Sequence, residues 1–111
     1  MTRKSLSIKI EKVKRELMSI EGLRPGSLST QYNICGKKGC KCKDDPPQKH
    51  GPYFQLSLTR KGKSQTKFIK QGDVDMIHEQ LNNYKRMKVL VEQWVDLSIE
   101  LSNLILSEEK R

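Results

Sequence analysis

The feature that most constrains the fold is a stretch from Asp73 to Leu106 that contains neither proline nor glycine. Asp73 suits the N-cap of a helix, and Asp75 suits the positive end of its dipole. Apolar residues recur at spacings of three and four along the stretch, so the sequence predicts one long amphipathic helix. At 1.5 Å per residue, such a helix would reach about 50 Å.

The rest of the chain is too small to cover a helix of this length. A globule of residues 1–71 has a radius of gyration of about 11 Å, and hydrophobic residues make up only 34% of the sequence. We therefore expect two copies to form a dimeric coiled-coil bundle through Met87, Leu90, Trp94, Leu97, Leu101 and Leu104. A back-folded amino-terminal helix would also cover this seam. A break near Asn82–Asn83, giving a monomeric helical hairpin, is the other alternative.

The amino-terminal segment predicts a second amphipathic helix. Its apolar residues alternate spacings of four and three, and therefore share one stripe: Leu6, Ile10, Val13, Leu17 and Ile20. Gly22 is suited to the left-handed position that follows a last helical turn, and Pro25 prevents the helix from continuing.

Between the two helices, the sequence has the pattern of short strands. Residues 28–34 alternate apolar and polar side chains, and residues 53–58 and 64–69 read as two further strands. Residues 59–63 connect the last two strands, which predicts a β-hairpin with a loop of about five residues.

The expected fold class is α+β. It comprises an N-terminal helix, a zinc knuckle on a small three-stranded antiparallel β element with a hairpin, and a long C-terminal helix in a dimeric bundle. We accordingly divide the chain into an amphipathic helix (1–23), a basic knuckle and hairpin module (24–71) and a helix for dimerisation or partner binding (72–111).

Positive charge is concentrated in the first two segments. Residues 1–71 hold 17 Lys/Arg against 5 Asp/Glu, whereas the remainder is mildly acidic. Such a surface suits a polyanion, although charge clusters also serve solubility alone. The candidate nucleic-acid contacts are Arg24, Lys37, Lys38, Lys41, Lys43, Arg60, Lys61, Lys63 and Lys67.

Lysine predominates among these contacts, and lysine suits phosphate better than base edges. The sequence thus predicts backbone contacts that weaken with salt, with DNA favoured over RNA. Stacking on a single strand is less favoured, because only Tyr53, Phe54 and Phe68 are near and some of them must pack the hairpin on the helices.

All three cysteines and one of the two histidines fall within residues 34–53. Cys35, Cys40, Cys42 and His50 supply the four ligands of a tetrahedral zinc site of the Cys3His type. An odd number of cysteines does not suit a disulfide framework, and a chain with so few core residues benefits from a metal. Reduced free thiols are the main alternative, and a redox or nucleophilic cysteine is a lesser one.

The combination of RPGSLS (24–29), CGKKGCKC (35–42) and HGPYFQLS (50–57) resembles a family of small bacterial and archaeal proteins of unknown function. Members of that family look like products of mobile elements and are often encoded beside transposases. The resemblance implies that the same four ligand positions matter here, and that a transposase or recombinase is a candidate partner. The longer DDPPQ insert before His50 departs from the family pattern.

These observations favour a zinc-stabilised, DNA-binding accessory protein, with a protein-interaction adaptor as the alternative. We expect no catalytic residues, because no carboxylate pair or histidine base has the spacing that catalysis needs, and a four-ligand zinc site has no open position. We also expect a cytoplasmic location, since no apolar run is long enough to span a membrane and no signal peptide is visible.

Overall fold

The computed structural model of the chain describes residues 2–33 and 50–109. Its helices and strands are α1 (Arg3–Ser19), β1 (Ser27–Asn33), β2 (His50–Arg60), β3 (Lys63–Ile69) and α2 (Val74–Glu109). A single 3-10 turn, Gln71–Asp73, leads into α2. The α+β class, the antiparallel three-stranded sheet and the long C-terminal helix are confirmed. Within the described residues, none of the helices combines the length and apolar character needed to span a membrane.

The chain divides into two compact units. The helical unit contains Met1–Arg24 and Asn82–Arg111, and the sheet unit contains Pro25–Leu81. Helix α2 therefore contributes its first two turns to the sheet unit and the remainder to the helical unit. It is continuous through Asn82 and Asn83, so the predicted alternative of a break at this position is wrong.

Helix α1 begins and ends earlier than its sequence pattern suggests. Thr2 caps it, with the Thr2 hydroxyl oxygen accepting a hydrogen bond from the Ser5 amide at 3.1 Å. The helix ends at Ser19, whose hydroxyl donates to the Glu16 carbonyl at 2.6 Å. Such side-chain bonds compete with helix continuation. The expectation that Gly22 forms the left-handed end of the helix is wrong.

The helical unit is an antiparallel pair of helices. Arg3 at the start of α1 forms an ion pair with Glu108 near the end of α2, at 3.0 Å. Glu16 in the last turn of α1 forms one with Arg86, at 3.3 Å. The amide of Asn83 donates to the Gly22 carbonyl at 2.8 Å, just after α1. All three contacts require α1 to run back along α2.

The apolar stripe predicted for α1 is its buried face. Leu6, Ile10 and Val13 are buried, and so is Leu90 on the part of α2 that belongs to the same unit. Val13 and Leu97 line one groove between the two helices. A back-folded amino-terminal helix, which the sequence leaves open as an alternative to a second copy, therefore covers part of the predicted seam.

The sheet unit is organised around the central strand β2. The three strands are antiparallel in the order β1-β2-β3. Leu56 of β2 is only 2% exposed and forms a core cluster with Ile77 and Leu81 from the first turns of α2. Leu28 and Ile69 pack against this cluster from the two outer strands. One face of the sheet therefore packs against the first two turns of α2.

Two irregular positions shape the start of the sheet. Gly26 precedes β1 with φ +130°, and a Cβ atom there would lie 2.8 Å from the Ser57 carbonyl oxygen, so only glycine fits. The β1–β2 pairing shifts register between Gln31 and Asn33. Pro52 of β2, which has no N–H to donate, lies at this shift.

The hairpin between β2 and β3 is tighter than expected. Arg60 pairs directly with Lys63, which leaves a connection of two residues instead of the predicted five. Lys61 and Gly62 both have positive φ, at 53° and 77°, as a type I′ turn requires. Such a turn matches the natural twist of the two strands, so the ladder continues to the tip.

Candidate nucleic-acid interface

The tip of the β2–β3 hairpin brings together three of the predicted contact residues. Arg60 and Lys63 lie opposite each other, with Lys61 between them in the turn. All three side chains are exposed, and none forms an ion pair with another residue in 2–33 or 50–109. Like charges placed directly across a strand pair repel each other. The tip is thus a concentrated positive charge available to an external anion.

Two further lysines extend this charge along β3. Lys67 lies opposite Leu56 in the ladder, yet its side chain is exposed, and Lys70 follows the last residue of the strand. Together, residues 27–33 and 50–70 carry five Lys/Arg and no Asp/Glu. The described part of the sheet is therefore positive without an internal counter-charge.

The strand register defines the face of the sheet that lies opposite the core. We call it the outer face, and it is formed by Ser27, Ser29, Gln31, Tyr53, Gln55, Ser57, Thr59, Ser64, Thr66 and Phe68. Its polar side chains interact with one another. The Gln31 amide donates to Gln55 Oε1 at 2.6 Å, and the Thr59 and Ser64 hydroxyl groups lie 3.0 Å apart.

The predicted zinc ligands are largely outside the described residues. Cys35, Cys40 and Cys42 lie in the segment 34–49, and His50 is described only as the first residue of β2, where its backbone pairs with that of Asn33. Within 2–33 and 50–109, no group of three or more potential metal ligands comes together. The zinc site stays a prediction.

The other predicted contacts fall into two groups. Lys37, Lys38, Lys41 and Lys43 lie outside the described residues. Arg24 belongs to the helical unit and is half-buried, and its Nε atom is buried without a hydrogen-bond partner among the residues that the structure describes.

The residues predicted to form a dimer seam have unequal environments. Leu90 is buried, while Met87, Leu97, Leu101 and Leu104 are half-buried. Trp94 is 37% exposed, and the ammonium group of Lys14 on α1 lies 5.3 Å from the centre of its ring. The predicted dimer is neither confirmed nor contradicted by these contacts.

A neighbouring stripe of α2 is more exposed than the predicted seam. Val91, Val95, Ile99 and Leu106 are each at least 37% exposed. Trp94, Val95 and Ile99 line an open groove together with the small residues Ser98 and Ser102. The uncovered apolar surface of α2 is therefore centred on this stripe.

The sequence reasoning missed the exposure of Phe68. Its side chain is 68% exposed on the outer face, whereas neighbouring Ile69 contributes to the core. Alternation along β3 carries the signal, because Phe68 falls in step with the polar residues Ser64 and Thr66. An aromatic residue in the polar half of a strand pattern is a candidate binding residue.

Comparison with known proteins gives a family and nothing beyond it. The model of the family described as "Domain of unknown function (DUF6788)" matches residues 3–79, which span α1, the sheet and the start of α2. The searches of curated proteins and of solved structures gave no match. Because the matched residues make up well over half of the chain, this protein belongs to that family of unknown function.

Proposed function

We propose that this protein is a zinc-stabilised, basic nucleic-acid-binding accessory protein, with DNA as the favoured target. The observation that carries the proposal is the sheet charge, since residues 27–33 and 50–70 hold five cationic side chains and no carboxylate. A surface of this kind binds phosphates by releasing their condensed counterions. The exposed tip of Arg60, Lys61 and Lys63 is the centre of the contact.

The accessory role is supported by the sequence and involves no catalytic residues. The resemblance of the RPGSLS, CGKKGCKC and HGPYFQLS motifs to mobile-element proteins favours a part in transposition or recombination. The lysine-rich segment 34–49 would add phosphate contacts to those made by the hairpin. Lysine binds phosphate as a point charge, so we expect little preference for base sequence.

Zinc would stabilise the region that joins β1 to β2. The backbone of Asn33 pairs with that of His50, so the two ends of the cysteine-bearing segment are adjacent in the sheet. Cys35 follows Asn33 by two residues, and Cys40 and Cys42 complete a Cys3His ligand set. The metal would close this segment into a knuckle at the end of the ladder.

Removing charge from the hairpin tip tests the proposal. Lys61→Asn combined with Lys63→Gln removes two cations, and asparagine before Gly62 suits the type I′ turn, so the hairpin should persist. We expect about tenfold weaker binding to a random-sequence DNA duplex at low salt. The slope of log affinity against log salt should become shallower by about two, because two fewer counterions are released. Fluorescence anisotropy titrations at several salt concentrations measure both quantities.

The control removes the same charge from the helical unit. Lys4→Gln combined with Lys12→Gln changes two exposed lysines on α1 and leaves the sheet untouched. This variant should bind the duplex more tightly than the hairpin variant does, with a slope near that of the wild type. Equal losses in both variants would mean that net charge alone attracts DNA. Absence of any salt-dependent binding in the wild type would overturn the proposal.

We also propose that the protein is a homodimer, held by the exposed stripe of α2. The stripe repeats at intervals of four and seven residues and is flanked by small serines, which allow close approach of a second helix. An antiparallel copy would place Lys85 and Lys88 at one end of α2 near Glu108 at the other end of its partner. The contact residues would then include Trp94, already assigned to the predicted seam.

Charges placed in the stripe should separate the two copies. We expect Val95→Lys combined with Ile99→Lys to halve the mass measured by light scattering, because two lysines would be buried without partners. Glu92 and Asp96 lie three residues before the two substituted positions and offset the repulsion of two lysines four residues apart, so the helix should persist. Met18→Lys, at an 86% exposed position on α1, is the control and should leave the mass unchanged. A wild-type protein that is monomeric at high concentration contradicts the dimer, and stable capture of another protein by this stripe would favour the adaptor function instead.

A further inference from the structure

The outer face of the sheet presents two aromatic rings to solvent. Phe68 is 68% exposed and Tyr53 is 41% exposed. Phe68 lies opposite Gln55 in the ladder, and Tyr53 precedes Gln55 by two residues. The two rings therefore share one face as diagonal neighbours, with their Cα atoms roughly 7–8 Å apart.

Neither ring is needed for the core. The core cluster consists of Leu56, Ile77 and Leu81, supported by Leu28 and Ile69. Phe54, whose side chain is half-buried, points to the core side of the sheet, in register with Ile69. Of the three aromatic residues, some of which were expected to pack the hairpin on the helices, Phe54 faces the core side and Tyr53 and Phe68 do not.

Polar groups around the rings can recognise bases and phosphates. Gln31 lies opposite Tyr53, and its amide donates to Gln55, which leaves the Gln31 carbonyl and the Gln55 amide group for other partners. Tyr53 and Phe68 line an open groove of about 500 Å³, and Lys70 lies at its edge. The site thus combines flat apolar surfaces, hydrogen-bonding amides and a cation.

We propose that the outer face binds single-stranded nucleic acid by stacking its bases on Tyr53 and Phe68. The inference rests on the proposed function and names its substrate class. In a duplex the faces of the bases are already stacked on their neighbours, whereas a single strand offers them to protein rings. Lys70, at the edge of the groove, holds the backbone beside the rings, and the charge of the hairpin tip attracts it from a distance. The rings add affinity that a duplex cannot use.

Replacing both rings with threonine tests the platform. Threonine favours strands, and both side chains are exposed, so Tyr53→Thr combined with Phe68→Thr should leave the sheet folded. The wild type should bind an oligodeoxythymidylate more tightly than a random duplex of equal length. The double variant should lose about tenfold or more in affinity for the oligodeoxythymidylate and keep its affinity for the duplex. Phe68→Trp should retain single-strand binding, because tryptophan also stacks.

The outcomes separate this inference from the proposed function. If the wild type binds neither probe at low salt, both fail. If it binds both probes equally, and the double threonine variant behaves like the wild type, the platform is wrong and phosphate binding stands. If Lys61→Asn with Lys63→Gln weakens binding to both probes while the ring variant weakens only the single strand, both are supported.

Discussion

Leu56→Ala is expected to lower the free energy of unfolding by about 2–5 kcal/mol, the usual cost of truncating a fully buried leucine. Leu56 is 2% exposed and lies in the central strand, where it packs on Ile77 and Leu81. Small domains have only about 5–15 kcal/mol of stability in total. The loss would therefore be a large fraction of the total stability. Urea denaturation followed by circular dichroism measures the change.

The functional consequence follows from the position of the same strand. Tyr53 and Gln55 of β2 lie on the outer face, on the side opposite to Leu56. A sheet that separates from the first turns of α2 would lose the spacing of these side chains, so nucleic-acid affinity should fall in parallel with stability. Met18→Ala is the control, since Met18 on α1 is 86% exposed, and it should change stability by less than about 0.5 kcal/mol. Similar losses in both variants would mean that the Leu56 cluster is not the core of the sheet unit.

The sequence predicts the helices well because their apolar stripes are long. Leu6, Ile10 and Val13 recur at helical spacing, and all three are buried. The end of α1 is harder to predict, because it depends on local contacts such as the hydrogen bond from Ser19 to Glu16, and Gly22 offers a competing signal. Periodicity predicts that a helix or strand exists, whereas individual side-chain contacts determine the residues at which it begins and ends.

In the hairpin, too, the sequence pattern predicts the strands but not the local geometry of the turn. Both strands were predicted, but the five-residue loop was not found, because Lys61 accepts a positive φ before Gly62 and the ladder extends to Arg60 and Lys63. A lysine at this turn position is unusual, so the Lys-Gly pair gives a weaker turn signal than Asn-Gly does. The shorter turn draws the cations at the tip closer together.

Part of the candidate site could also be read from the sequence. The cations of the hairpin are visible as a charge cluster, and the structure brings Arg60, Lys61 and Lys63 together. The exposure of Phe68 could have been read from its alternation with Ser64 and Thr66, whereas that of Tyr53 needs the strand register, because an aromatic residue in a strand is equally compatible with a core. The partner of a long apolar seam is also ambiguous in sequence, since a helix of the same chain and a second copy supply the same kind of surface.

Cys40→Ser is expected to cause the largest change of all, the loss of bound zinc. Structural zinc contributes about 10–16 kcal/mol of apparent free energy in zinc-finger peptides, and that energy is coupled to folding. Removing one of four ligands should abolish stoichiometric binding, and we expect the midpoint of thermal unfolding to fall by about 10 °C or more. Elemental analysis and scanning calorimetry measure the two effects. Lys41→Ser, next to Cys40 in the same segment, is the control and should retain the metal.

The same experiment distinguishes a zinc site from free thiols. In a Cys3His site, Cys35, Cys40 and Cys42 are held as thiolates by the metal, so they should react slowly with a thiol reagent until a chelator is added. A chelator should also lower the unfolding midpoint of the wild type to that of Cys40→Ser and leave the variant unchanged. Free thiols would react at once in the wild type, the purified protein would contain no metal, and the substitution would not change the midpoint. That set of results would leave the sheet charge and the outer face as the whole of the binding site.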